Sequence, residues 1–290
     1  MRLPSWITQH IAALRTILTF TVLCGIAYPL IVTAVAQLPG LRDRANGSVV
    51  TANGKPVGSA IIGQLFTDDQ GDALKQYFQS RPSAAGDGYD LDSTSASNLG
   101  PESIEDKLSP DGATLSLLSQ VCSRSKAVGE LEGVDGRRPY CTSDGLGAVL
   151  RVFHSDGLTG RVTRVVSVNQ ACPATPFVSS YAGVAVECAK AGEDYSGGVL
   201  TTVRGDAPAE SAVPADAVTA SASGLDPQIS PEYAKLQVAR VAQARGVSAA
   251  EVLKLVEQNT TGRALGFLGE PGVNVLQLNL DLDAKYPYQG

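Results

Sequence analysis

No charged residue falls between Thr16 and Leu41. The stretch TILTFTVLCGIAYPLIVTAVAQLPGL is long enough, at roughly 1.5 Å per helical residue, to cross a hydrocarbon core of about 30 Å. A cleaved signal peptide is the alternative, but its apolar region runs only about 7 to 15 residues and ends at a small-residue cleavage site. The stretch therefore reads as a permanent transmembrane helix over residues 15–40, behind a short tail of residues 1–14. Pro29 lacks an N–H and is expected to kink the helix unless a neighbouring helix takes up the freed carbonyl. Gly25, Ala27, Thr33, Ala34 and Ala36 favour close packing on another membrane helix.

Charge barely orients this anchor, since Arg2 and Arg15 precede it and Arg42 and Arg44 follow it. Cysteine usage is more telling. Outside the span lie Cys122, Cys141, Cys172 and Cys188, an even set without the C-x-x-C pairs of a zinc site, in a chain with only 2 histidines. Two disulfides, in any of three connectivities, imply an oxidising compartment. The soluble part is thus expected to be extracytoplasmic and the N-terminal tail cytoplasmic. A net charge of -6, with 23 scattered lysines and arginines, excludes a nucleic-acid footprint.

The soluble part reads as α+β, a mixed α/β domain over 41–112 and 206–290 interrupted by a β-rich, cysteine-containing insertion over 113–205. Asn53-Gly54 between two β-rich runs predicts a hairpin. DALKQYFQSRPSAAGDGYD predicts a short helix stopped by Pro82, and PESIEDKLS a weak one. LGAVLRVFH, GRVTRVVSVNQ and PFVSSYAGVAVEC alternate as strands do, and RGDAPAESAVPADAV reads as a linker. In SASGLDPQISPEYAK, Ser230 suits an N-cap, Pro231 the first helical turn and Glu232 the positive end of the dipole, predicting a helix to Gly246. Ser248-Ala-Ala-Glu251 is a capping box for a second helix to about Asn259. GVNVLQLNLDL alternates leucines and predicts a strand with one buried face.

Nothing in these residues assembles a catalytic centre or a metal site. His154 ends an alternating run and has no evident nucleophile beside it. Ser123 and Lys126 have the S-x-x-K spacing of penicillin-recognising enzymes, but neither S-D-N nor K-T-G follows. A phosphate loop G-x-x-x-x-G-K-[ST] is absent. A stand-alone membrane-anchored binding module and a Ser-Lys hydrolase remain as alternatives to a non-catalytic subunit.

The blocks GIAYPLIVTAVAQ, VGSAIIGQLF, YFQSRPS, SNLGP, VPADAVTASASGLDPQISPEYAKLQVARVAQARG and GFLGEPGVNVLQLNL, in this order, resemble the C subunit of the Kdp potassium-transporting P-type ATPase. The resemblance implies an accessory subunit of an ATP-driven high-affinity K⁺ uptake pump in the bacterial cell membrane. Its partners would be a K⁺-translocating subunit, a P-type ATPase subunit and a small fourth subunit. It further implies no tightly bound cofactor, K⁺ as the ion the complex transports, and a catalytic-chaperone role that raises the ATP affinity of the ATPase subunit. Gln237, on the helix after SGLDP, takes the position proposed to meet the nucleotide; the residues alone suggest instead that it packs beside the loop. Candidate partner-binding residues are Asn98, Gly100 and Pro101 in SNLGP, and Ser223, Gly224, Asp226 and Pro227 in SGLDP. The 113–205 section stands outside the resemblance.

Overall fold

The computed structural model describes residues 4–94 and 102–290 and divides the chain into two units, one up to Ile61 and one from Ile62 onward. Asn98, Gly100 and Pro101 lie outside the described residues.

In the first unit a single helix, long and apolar enough to cross a membrane, runs from Ser5 to Ala36. It consists of α1 (Ser5–Phe20), a π-helical stretch (Thr21–Ala27) and α2 (Tyr28–Ala36). The π stretch is the chain's answer to Pro29. Proline removes one N–H and its ring would strike the carbonyl four residues back; the wider turn ends with Tyr28 N–H donating to Leu23 O, five residues back. The helix thus continues through Pro29 in α2. One turn, α3 (Arg42–Ala45), and the hairpin β1 (Val49–Ala52) and β2 (Lys55–Ser59) follow. Asn53 and Gly54 adopt φ of 51° and 74°, as the Asn-Gly dipeptide predicts.

The second unit carries the hairpin β3 (Lys107–Ser109) and β4 (Gly112–Thr114), then α4 (Leu117–Glu132), then five strands: β5 (Val149–Asp156), β6 (Thr159–Ala171), β7 (Ser180–Tyr181), β8 (Val184–Ala189) and β9 (Val199–Thr202). These five form a sheet in the order β7-β8-β6-β5-β9, in which β6 and β8 run parallel and the other pairs antiparallel. Alternation buries both faces: Leu150, Val152 and Val165 join one cluster, Val149, Val166 and Val168 another. The section is not purely β, because α4 lies within it. Ser116 caps α4 by accepting from Ser119 N–H, and Asp106, accepting from Ser116 N–H and Ser119 Oγ–H, ties the cap to β3. The disulfides are Cys122–Cys141 and Cys172–Cys188.

The rest is β10 (Gln228–Ile229), α5 (Pro231–Arg245), α6 (Ala249–Gln258), β11 (Thr260–Thr261), β12 (Gly272–Asn274) and α7 (Val275–Lys285), with a small sheet in the order β10-β12-β11. Both predicted caps are present: Ser230 Oγ accepts from Tyr233 N–H at 3.0 Å, and Ser248 with Glu251 forms the capping box.

Four expectations change. GVNVLQLNLDL is a strand only to Asn274, which then caps α7 by accepting from Gln277 N–H. Of its buried residues, Val275, Leu278, Asn279 and Leu282 repeat with helical period, Leu276 is buried beside them, and the Leu alternation coincides with part of the set. Residues 72–81 form no helix, because side chains from α5 and α7 take their backbone groups. Within PESIEDKLS, Lys107–Ser109 is strand β3. The expected linker is no loose tether, since Val213, Ala217 and Val218 are buried in the core around α5.

Loss of the Cys122–Cys141 bond, which closes a sequence separation of 19, should lower unfolding stability by about 3 kcal/mol through the entropy returned to the unfolded chain. The check is the urea midpoint of the soluble part of Cys122→Ser/Cys141→Ser against wild type.

Candidate functional site

The loop SASGLDPQISP is rigid before its helix begins. Ser221 N–H donates to Pro82 O at 2.7 Å, and Ser221 Oγ accepts from Gly224 N–H at 3.0 Å. Ser83 Oγ–H donates to Gly224 O at 2.9 Å, and Gly63 N–H to Leu225 O at 2.9 Å. Gly224 has φ +75°, and a Cβ there would lie 2.2 Å from that of Ala85, so glycine is required twice over. The Tyr89 hydroxyl reaches Arg81 O and Asp226 O, and burial pushes its phenol up to about 12, keeping it a proton donor.

This loop forms one wall of a cleft of about 550 Å³, lined among others by Arg81, Asp216, Asp226, Gln228, Glu270 and Pro271. Arg81 Nη1 pairs with Asp226 Oδ2 at 3.0 Å, and Arg81 Nη2 donates to Thr219 O at 3.0 Å. Asp216 accepts from Ser230 N–H and Oγ–H at 2.7 and 2.8 Å, reinforcing the helix start. No lysine or arginine among the described residues pairs with Asp216. The cleft is therefore acidic, with a fixed polar floor.

Of the expected partner-binding residues, the structure brings Ser223, Gly224, Asp226 and Pro227 together in this loop, with Ser223 Oγ–H donating to Asp226 Oδ1. Arg81 and Asp216 escaped the sequence reading. Arg81 could have been flagged inside YFQSRPS; Asp216 offered no signal, because its partner, Ser230, lies 14 residues further along the chain.

Gln237 lies elsewhere, on α5, with no exposed surface. Its Oε1 accepts from Gln79 N–H at 2.7 Å and from Arg240 Nη2 at 2.8 Å, while its Nε2 donates to Gln79 O at 3.1 Å. On α7, Asn279 treats Phe78 the same way, accepting from its N–H at 2.9 Å and donating to its O at 3.0 Å. Two side-chain amides thus grip two successive residues as a neighbouring strand would. Ser123 and Lys126 are exposed on α4, where Lys126 Nζ faces Glu130 at 3.9 Å, and no hydrogen bond joins Ser123 to Lys126 among the described residues. No cluster of three or more His, Cys, Asp or Glu suited to a metal occurs among the described residues.

A family model described as the K⁺-transporting ATPase, c chain (KdpC), matches residues 10–111 and 164–284. The potassium-transporting ATPase KdpC subunit of Kineococcus radiotolerans is 37% identical over 287 residues, 99% of each chain. That of Beijerinckia indica is 36% identical over 282 residues, 97% of this chain and 96% of the relative. That of Mycobacterium tuberculosis H37Rv is 37% identical over 275 residues, 95% and 97% of the two chains. The first of these alignments, at that coverage, runs across the 113–205 section.

Gln237→Ala strands the buried N–H and C=O of Gln79 and should cost about 3 kcal/mol, with Asn279→Ala costing a similar amount. The double variant should lose less than the sum, because one opened grip already frees the segment held by the other. Chemical denaturation of all three variants checks both statements.

Proposed function

The chain belongs to the KdpC family, the C chain of K⁺-transporting ATPases, and on that premise we propose that it is the pump's non-catalytic assembly subunit. One near-full-length likeness carries this reading, joined to one helix of membrane-spanning length. K⁺ is the ion the complex transports. In the proposed arrangement the chain stabilises the K⁺-translocating, ATP-hydrolysing and small fourth subunits as one assembly. The SGLDP loop, with Ser223, Gly224, Asp226 and Pro227, meets a partner subunit.

The soluble part is proposed to lie outside the cytoplasm, with the N-terminus inside. Two disulfides support this, because cytosolic thiols are kept reduced. The catalytic-chaperone role requires Gln237 to meet ATP, and two observations weigh against it. The side chain is wholly enclosed, and its amide is engaged with Gln79 and Arg240. We therefore assign Gln237 to holding the chain at Phe78–Gln79 and leave nucleotide binding to the ATPase subunit.

A membrane-impermeant maleimide applied to intact cells or spheroplasts should label Cys122, Cys141, Cys172 and Cys188 only after an external, impermeant reductant. A Cys24→Ser background removes the one free thiol among the described residues. Labelling only after lysis would place the domain inside and return ATP to its reach. Affinity purification of the tagged full chain in mild detergent should bring down the multi-span and ATPase subunits together; a chain recovered alone argues against the assembly role.

A further inference from the structure

The connection from β11 to β12, residues 262–271, exposes three large apolar side chains: Leu265 at 83%, Phe267 at 69% and Leu268 at 51%. It is nonetheless well held. Ala264 and Leu268 exchange backbone hydrogen bonds at 2.8 and 2.9 Å. Arg263 Nη1 donates to Gly269 O at 2.9 Å and its guanidinium pairs with Glu270, closing the loop at its base. Leu265 is held at φ 54°, left-handed backbone that a leucine seldom adopts. Apolar side chains on a fixed loop, facing solvent, mark an interaction surface rather than slack chain.

Glu270 and Pro271, at the root of this loop, also line the acidic cleft, so the apolar lip and the cleft are one continuous surface. Its guanidinium groups are already committed, Arg81 to Asp226 and Arg263 to Glu270, while the charge of Asp216 has no basic partner among the described residues. The surface thus offers an apolar contact beside a place for one positive charge.

We propose that lip and cleft together dock an extracytoplasmic segment of another subunit of the same pump, one that presents a lysine or arginine beside apolar side chains. This rests on reading the chain as a pump subunit with an external soluble part. Charge decides against other occupants. Anionic headgroups would be repelled by the cleft beside the lip, and a two-fold contact with a second copy would set two acidic clefts against each other.

The test uses the assembled complex in mild detergent, purified through a tag on this chain, comparing wild type with Phe267→Asp, Leu265→Ser and Asp216→Asn, and with a photocrosslinking amino acid at position 267. The two lip variants should each retain about tenfold less of the other subunits per chain, the loss expected when a central apolar anchor is removed. Their soluble parts should melt as wild type does, since both positions face solvent. Asp216→Asn should give a smaller loss that disappears at high salt. The crosslink should map to a peptide of another pump subunit with a basic residue beside apolar ones. Unchanged retention in both lip variants, or crosslinking to lipid or to a second copy, overturns the proposal alone. Wild-type chain that brings down no pump subunit overturns the subunit reading and the proposal with it.

Discussion

A five-residue segment without regular structure, Lys75–Gln79, sets the arrangement of everything around it. Its backbone groups are met by side chains from two helices: Gln237 and Asn279 grip Gln79 and Phe78, Arg240 donates to Lys75 O and Tyr77 O, and Arg245 donates to Gln76 O. At the buried residues Phe78 and Gln79 unmet N–H and C=O groups would be untenable, so α5 and α7 have to lie where Gln237 and Asn279 reach them. Phe78, fully buried between the helices, adds the apolar contribution. Arg245 also pairs with Asp283 and stacks on Tyr77 at 5.0 Å, joining α5, α7 and the segment at a second point.

One of these arginines, Arg240, also reaches α4. Arg240 meets both carboxylate oxygens of Glu132 at 3.0 Å, and both side chains are buried. Burial pushes the Glu132 carboxyl up, and the nearby Arg240 pulls it back only in part. Such a pair contributes little net stability, because desolvation offsets most of the attraction. It does fix position, since either charge alone would be stranded. α4 is thereby locked to α5; Val121, Val128 and Val134 pack against the same core, and Arg124 and Arg138 donate to Val218 O and Val213 O at 3.1 and 2.6 Å. Two residues downstream of Gln79 comes Arg81, which lines the cleft, and Ser83 then holds the SGLDP loop at Gly224 O, so the grip at 78–79 fixes the register in which Arg81 meets Asp226.

How much of this could be read in advance depended on the range of the interactions. Ser230, Ser248 with Glu251, and Asn53-Gly54 were legible because cap and turn chemistry closes within four residues. The membrane helix was legible because lipid imposes its length. The π stretch before Pro29 was not, since a lone helix has two ways to absorb a proline and only the backbone shows which. α7 was misread because alternating leucines at 276, 278 and 280 satisfy a strand pattern while Val275, Leu278, Asn279 and Leu282 satisfy a helix, and the choice falls to packing. The non-helical course of 75–79 was invisible for a stronger reason: its partners lie between 158 and 201 residues away in sequence. The cleft was half legible, through SGLDP but not through Asp216.

The identity of residue 237 can be argued from this geometry. Its side chain has to present an acceptor to the Gln79 N–H, a donor to the Gln79 carbonyl and an acceptor to Arg240 within a dry site. Glutamate would pair with Arg240 but would turn an oxygen toward the Gln79 carbonyl, leaving two acceptors facing each other. Leucine would fill the volume and strand three polar groups. Asparagine is one methylene short from this helix, although it serves at 279, where α7 brings Phe78 within its reach. Glutamine is thus required here by the backbone it holds, and nothing about its presence calls for a nucleotide.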